Sequence, residues 1–149
     1  MRKGIAILFV LLFFPLGIKT ATITEDEVLS QAPSWYEKIA RYVPDKATIE
    51  KLRKVNVDYK ILVIFGYWCK DSQRHVPEFI KTMWEAGNPR FTYEFIEVPR
   101  ERPLRKVVYK RYKIERIPTF IVYRNGKEVG RIIERPRRSI EEDLAEILR

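Results

Sequence analysis

One cysteine carries most of the chemistry that this sequence offers. Cys69 is the only cysteine among 149 residues, and it follows Trp68 where an apolar run gives way to a helical pattern. A thiolate attacks disulfides, and the first turn of a helix favours a thiolate through its unpaired amides and positive dipole end. Lys70 adds to this effect, whereas Asp71 opposes it by like charge. The position predicts an exposed, reactive thiol, with a buried and inert cysteine as the alternative.

The single histidine gives no sign of a metal or catalytic site. His75 follows Cys69 by six residues, about 240° round a helix, so its side chain should point away from the thiol. We expect a histidine at the surface or rim. The sequence has no second cluster of metal ligands and no glycine-rich phosphate loop. It therefore predicts neither a metal nor a cofactor.

The cysteine is predicted at a junction between a strand and a helix. The continuous apolar run over residues 60–66 is typical of a central strand that is buried on both faces. From Lys70 the apolar residues fall at helical spacing, and Gly87 and Asn88 end that pattern. The apolar stripe of this helix consists of Val76, Phe79, Ile80, Met83 and Trp84.

The rest of the chain predicts a mixed α/β architecture. Residues 91–98 alternate as a strand, and a helical stripe follows behind Pro103. Residues 119–123 and 128–133 are predicted strands joined by an Asn-Gly turn, and Ser139 with Glu142 begins a last helix. The order β-α-β-α-β-β-α predicts a mixed sheet with helices on both faces.

Two shorter helices are expected ahead of this unit. Ser34 and Glu37 have the spacing of a capping box, and Ile49, Leu52 and Val55 mark a second helix that ends near residue 56. The predicted organisation is therefore a helical extension over residues 22–59 and a domain over residues 60–149.

Three matches make the chain resemble the thioredoxin family. Trp68-Cys69 begins a helix as the family's Trp-Cys-x-x-Cys motif does, and Pro77 stands eight residues after the cysteine, where thioredoxins carry a proline. Residues 112–119, followed by Asn125-Gly126, are similar to the family's cis-proline segment and the hairpin behind it. The resemblance covers about residues 60–149 and implies a thioredoxin-like, three-layer α/β fold.

The resemblance also implies the residues of a site. In the family a cis-proline lies against the active-site cysteine, and the residue before it pairs its backbone with an extended substrate. These roles fall on Pro118 and Ile117. Trp68 would be an aromatic residue beside the thiol that contacts substrate, with packing into the core as the alternative.

Two positions depart from the family pattern. Ser72 stands where dithiol members have their second, resolving cysteine, and Val63 stands where they have a buried acidic residue. Both changes affect the release of a mixed disulfide. The sequence thus predicts a monothiol oxidoreductase or isomerase that captures protein or small-molecule disulfides through Cys69 and needs an external thiol reductant. In this hypothesis Ser72 donates a hydrogen bond to the thiolate. The alternative is a peptide-binding or chaperone-like module without turnover.

The first 21 residues predict export. Arg2 and Lys3 precede an apolar run over residues 5–16, which is shorter than the ~20 residues of a membrane-spanning helix. The sequence therefore predicts a signal peptide over residues 1–21 and a periplasmic or extracellular location. Because Lys19 makes a poor cleavage site, an uncleaved anchor that associates with the membrane remains an alternative.

Charge and cysteine content limit the partners. The net charge is +9, and without Arg2, Lys3 and Lys19 the chain has 26 basic against 20 acidic residues, or +6. The basic residues are interleaved with glutamate and apolar positions, so we expect no nucleic-acid partner. A solvated face, or attraction to anionic lipid or acidic partners, is the simpler interpretation. One cysteine permits no internal disulfide.

Overall fold

Four strands form one mixed sheet. The computed structural model describes residues 21–149, and its strands are β1 (Tyr59–Phe65), β2 (Phe91–Glu97), β3 (Thr119–Arg124) and β4 (Lys127–Ile133). Their order is β2-β1-β3-β4, with β1 and β2 parallel and the pairs β1–β3 and β3–β4 antiparallel. Each predicted strand is confirmed to within one residue at either end.

Helices cover both faces of this sheet. The described residues form α1 (Glu25–Gln31), α2 (Trp35–Arg41), α3 (Lys46–Arg53), α4 (Lys70–Ala86), α5 (Arg102–Tyr112) and α6 (Ile140–Ile147). Five of the six helices contribute to one large apolar cluster, and α5 belongs to a second, smaller one. The predicted three-layer α/β fold is confirmed.

The alternation of β1 divides the core between these two clusters. Ile61, Val63 and Phe65 join the larger cluster, while Leu62 and Ile64 join the cluster on the α5 side. Successive residues of a strand point to opposite faces, so a continuous apolar run supplies both. β1 is therefore the buried centre of the molecule, and Cys69 follows its end.

The N-terminal helices begin differently from the prediction. Thr24 and Glu27 form a capping box at the start of α1, in which Glu27 Oε2 accepts from the Thr24 N–H at 2.6 Å. The sequence analysis expected two helices ahead of β1 and missed both α1 and this capping box. Ser34 has helical backbone angles (φ −62°, ψ −15°) and makes no side-chain cap, so the predicted Ser34–Glu37 capping box is wrong. Glu37 pairs with Arg41 instead.

Pro77 lies inside α4, and its missing N–H is compensated from outside the helix. A proline cannot donate to the carbonyl four residues earlier, which here is that of Gln73. Lys38 of α2 donates its Nζ to this carbonyl oxygen at 2.9 Å. One hydrogen bond thus fastens α2 to the middle of α4.

His75 is buried, which corrects its predicted position at the surface. Its side chain is 6% exposed, and Nδ1 lies 2.6 Å from Oε2 of Glu78. The spacing from Cys69 showed only that His75 does not lie on the side of the helix that carries the thiol. The other sides of α4 pack against β1, α2, α3 and α6, so a position away from the thiol is enclosed.

The predicted signal peptide lies outside the described residues, apart from Ala21. Between residues 21 and 149, none of the helices combines the length and apolar character that crossing a membrane requires.

Candidate functional site

Cys69 stands immediately before α4, in the N-cap position. Its side chain is partly exposed, and it makes no side-chain cap to the helix. An N-cap side chain normally accepts from the N–H groups of the second and third helical residues, here Asp71 and Ser72. Those two N–H groups have no partner among the described residues. A thiolate at Cys69 is placed to serve as their acceptor.

The Ile117–Pro118 segment lies beside the thiol. Cys69 Sγ donates to the carbonyl oxygen of Ile117 across 3.3 Å, and the Ile117–Pro118 peptide bond is cis. The Glu134 N–H donates to the Pro118 carbonyl at 2.7 Å and holds the segment from the β4 side. The N–H of Ile117 has no partner in the described part of the chain. Folding therefore joins two sequence-predicted site segments that are 48 residues apart.

Trp68 is fixed beside the cysteine by contacts on both sides. Its Nε1 donates to the Val98 carbonyl at 2.9 Å, and the Arg105 guanidinium lies 5.3 Å from the ring centroid. A Cβ at Gly66 would lie 2.8 Å from Trp68 Nε1 and 3.0 Å from Ile117 Cδ1, so glycine is needed for this close approach. Trp68 packs against the smaller apolar cluster and remains partly exposed. The packing that the sequence analysis gave as the alternative is therefore present, and contact with a substrate stays a prediction.

Ser72 lies behind the thiol in the interior. It is fully buried, and its Oγ accepts from the Gly66 N–H at 3.2 Å. The hydroxyl hydrogen has no acceptor among the described residues. Val63, the other departure from the dithiol pattern, is also fully buried within the larger apolar cluster.

Two arginines that the sequence analysis missed compensate acidic groups at the site. Arg135 Nε donates to Asp71 Oδ1 at 3.0 Å, and this hydrogen bond raises the pKa of Arg135. Arg116 pairs with Glu134 at 2.6 Å, which raises the pKa of Arg116 in the same way. The negative charge of Asp71, which would repel a Cys69 thiolate, is therefore balanced by Arg135. Asp71 and Arg135 are 64 residues apart, and no local pattern connects them.

Helix α5 brings Arg105 and Tyr109 to the same region. Burial raises the pKa of the Tyr109 hydroxyl, Arg105 lowers it, and a charged Cys69 raises it further. Tyr109 thus lies within electrostatic reach of both the guanidinium and the thiol. The sequence signal that could have placed Arg105 and Tyr109 together is their spacing, because residues 105, 109 and 112 fall on one helical face.

No group of three or more histidine, cysteine or acidic residues in the described chain is arranged to hold a metal ion. The chemical group at the site is the thiol, flanked by an indole, a free backbone N–H and several cations.

This fold, with a cysteine at the start of α4 against a cis-proline segment, defines a protein of the thioredoxin fold. A family model described as Thioredoxin matches residues 20–146, and the chain belongs to the thioredoxin family. The match includes the N-terminal helices, which the sequence resemblance did not cover.

Solved structures are similar to this chain at low sequence identity. A protein of unknown function from Pseudomonas aeruginosa is 19% identical and aligns over 85% of this chain and 79% of its own, with a TM-score of 0.54. An HIV epitope-scaffold is 20% identical over 85% and 76% of the two chains, with a TM-score of 0.53. Trxlp from Edwardsiella tarda is 17% identical over 70% and 94%, with a TM-score of 0.48. No curated protein matches the sequence.

Proposed function

We propose that this protein is an exported, monothiol thiol–disulfide oxidoreductase or isomerase that captures disulfides through Cys69. The observation that carries the proposal is the position of Cys69, partly exposed at the N-terminus of α4 and 3.3 Å from the Ile117 carbonyl. A thiol that merely filled the core would need neither exposure nor a helix terminus.

The exchange proceeds in two balanced steps. The Cys69 thiolate attacks one sulfur of a partner disulfide, the Cys69–partner bond forms, and the second partner sulfur leaves as a thiolate that takes up a proton. In the release step an external thiolate attacks the partner sulfur, Cys69 leaves as a thiolate, and the partner stays disulfide-bonded to the external group. Alternatively it attacks the Cys69 sulfur and expels the partner as a thiolate, and a second external thiolate then frees Cys69 as the external disulfide forms. Each step exchanges one disulfide bond for another.

Neighbouring groups support the thiolate in this scheme. The Asp71 and Ser72 N–H groups have no hydrogen-bond acceptor in the described chain. They can donate to the sulfur once its hydrogen bond to the Ile117 carbonyl is broken. The Ser72 hydroxyl, which uses its oxygen for Gly66, keeps its hydrogen for a donation to the same sulfur. The N–H of Ile117 can pair with an extended partner chain.

The test uses the purified full chain with a disulfide-linked peptide and glutathione. Wild type should accelerate exchange, and Cys69→Ala should reduce the rate to that of glutathione alone, while Cys69→Ser controls for the change in size. Peptide binding that persists in Cys69→Ala, with no catalysed exchange by wild type, would support the non-catalytic binding module instead.

A further inference from the structure

The positive charge of the protein is concentrated on one segment. Residues 100–116 contain eight basic and two acidic side chains, a net charge of +6. The whole chain beyond residue 21 also has a net charge of +6, so the remaining residues nearly cancel. This segment includes α5 and ends one residue before Ile117, whose carbonyl contacts Cys69.

Two cations flank the Trp68-Cys69 pair, Arg105 of this segment and Lys70 at the start of α4. Arg105 sits over the Trp68 ring at 5.3 Å, and Lys70 is the exposed residue after Cys69. Neither forms an ion pair with an acidic residue in the part of the chain that the structure describes. The charges of both side chains therefore remain available to a partner.

Of the acidic groups around the site, Glu97 and Glu101 form no ion pair in the described part of the chain and offset some of this positive charge, whereas Asp71 and Glu134 are paired. Asp71 is paired with Arg135 and Glu134 with Arg116, so both carboxylates are already balanced. The two arginines keep most of their side-chain surface exposed, at 71% and 64%. Because each arginine is paired with a carboxylate, the two pairs add no net charge, and the charge offered to a partner comes from Lys70 and the α5 segment.

The outward face of α5 also presents apolar area beside these charges. Leu104 is 54% exposed and Val107 is 43% exposed, whereas Val108 is the buried residue of this helix. A mixed cationic and apolar surface that borders a reactive thiol fits a polypeptide better than a small neutral disulfide.

We propose that the disulfide captured by Cys69 belongs to an acidic polypeptide, with aspartate or glutamate beside its cysteine, and that Lys70 and Arg105 select it. This inference rests on the proposed exchange function. Opposite charges speed the encounter and hold the partner sulfur near Cys69, so selection should appear in the rate of capture.

The experiment compares three disulfide peptides of one sequence, each linked to the same chromogenic thiol and flanked by glutamate, glutamine or lysine. Capture by the full chain is measured by release of the chromophore, and each rate is divided by the rate with 2-mercaptoethanol to remove intrinsic reactivity. At low ionic strength the glutamate peptide should react about tenfold faster than the lysine peptide, and high salt should reduce this ratio to about twofold.

Substitutions test whether Lys70 and Arg105 are the source of this selectivity. Lys70→Gln with Arg105→Gln should lose most of the ratio, and Arg105→Lys should keep it. Lys127→Gln is the matched control, because Lys127 is an exposed lysine in the hairpin at the opposite end of β3 from Pro118. The ratio within one variant does not depend on how much protein is folded.

The outcomes separate the two proposals. Equal rates for the three peptides, with capture intact, would overturn charge selection and leave the exchange function standing. Absence of capture from all three would overturn the exchange function itself. Equal peptide rates together with Arg105-dependent binding to phosphatidylglycerol vesicles would assign the cations to a lipid surface and also overturn the proposal.

Discussion

The thiol of Cys69 works, in our proposal, without the second thiol that would release its partners from within the chain. The structure places Ser72 within the first turn of α4, fully buried and bonded to Gly66. A serine hydroxyl is a poor nucleophile towards sulfur, and its oxygen is already engaged. Mixed disulfides should therefore persist until an external thiol arrives.

Substituting Ser72 with cysteine should complete the site. In Ser72→Cys the new thiol lies one helical turn from Cys69 and attacks the mixed disulfide intramolecularly, with an effective concentration far above that of any free thiol. Trapped partners on non-reducing gels should decrease, and insulin reduction should appear. The loss of the hydrogen bond to Gly66 should cost about 1 kcal/mol of unfolding free energy.

Thr82→Cys is the matched control for this gain. Thr82 is equally buried in α4, but it lies thirteen residues beyond Cys69, about 20 Å along the helix. A thiol there should not release partners. Insulin reduction by the wild type, or unchanged trapping in Ser72→Cys, would mean that the site is not a half-complete dithiol centre.

Gly66 has no side chain, and this allows Trp68 and Ile117 to pack closely against it. Gly66→Ala should displace the indole, weaken its bond to the Val98 carbonyl and cost about 1–3 kcal/mol of stability, since overpacked cores rarely absorb a methyl group freely. Capture by Cys69 should slow, and tryptophan fluorescence should change.

Gly126→Ala separates this effect from general destabilisation. Gly126 has a positive φ of 75° in the distant β3–β4 turn, with open space around its Cβ position. Its substitution should lower stability and leave the capture rate unchanged. Equal rates for wild type and Gly66→Ala would argue that the packing of Trp68 does not influence the thiol.

At the scale of elements, α4 depends on α2 for one backbone hydrogen bond. Lys38 satisfies the Gln73 carbonyl that Pro77 leaves free. Lys38→Ala should therefore destabilise the wild type by about 0.5–1 kcal/mol, a small value because the bond is exposed.

A double-mutant cycle tests the cause of this loss. Pro77→Ala restores an N–H that can bond to Gln73 within the helix, so Lys38→Ala should cost almost nothing in that background. Chemical denaturation of the four proteins gives the coupling free energy. Equal costs in both backgrounds would show that Lys38 acts independently of the proline.

Across the whole molecule, three tyrosines connect the N-terminal helices to the rest of the fold. Tyr42 donates to Glu141 of α6 at 2.6 Å, and Tyr93 of β2 donates to Glu25 of α1 at 2.6 Å. Tyr67 donates to the Val28 carbonyl of α1 at 3.3 Å. Each bond requires a protonated phenol.

These tyrosines make the fold sensitive to alkali. Burial raises the pKa of all three above the ordinary value of 10, with Tyr67 at about 12, and hydrogen bonds to carboxylates add to the shift for Tyr42 and Tyr93. Because the folded-state pKa is the higher one, their stabilisation is complete below pH 10 and is lost as the pH rises through the folded values. Denaturation midpoints should fall across this range, together with tyrosinate absorbance.

Tyr42→Phe combined with Tyr93→Phe should flatten that pH dependence, at the cost of some stability at neutral pH. Tyr36→Phe is the control, since Tyr36 is 52% exposed and makes no such connection. A pH profile that is unchanged by the double substitution would exclude these phenols as its source.

Export is a prediction that concerns the whole chain. If residues 1–21 are cleaved, mass spectrometry of the protein from its native host should find an N-terminus near residue 22. The physical reason is the basic start and short apolar run, which suit a translocated signal better than a spanning helix. A full-length protein confined to the soluble cytosol would contradict this prediction.

The sequence by itself determined the four strands, the helices from α4 onward and the position of the single cysteine at the start of α4. Periodicity gave β1 to β4, the helices from α4 onward and the placement of Cys69, because these depend on residues that are near one another in the chain. The Asn125-Gly126 turn and the Ser139 cap are local in the same sense, and both are present.

Tertiary structure decided the environment of those elements. His75 is buried because other elements enclose α4. Ser34 does not form its predicted cap, whereas Thr24 caps α1. Arg135 reached Asp71 across the fold, and α5 carried Arg105 to Trp68. Burial and charge pairing of this kind depend on contacts between distant segments, which spacing along one chain does not specify.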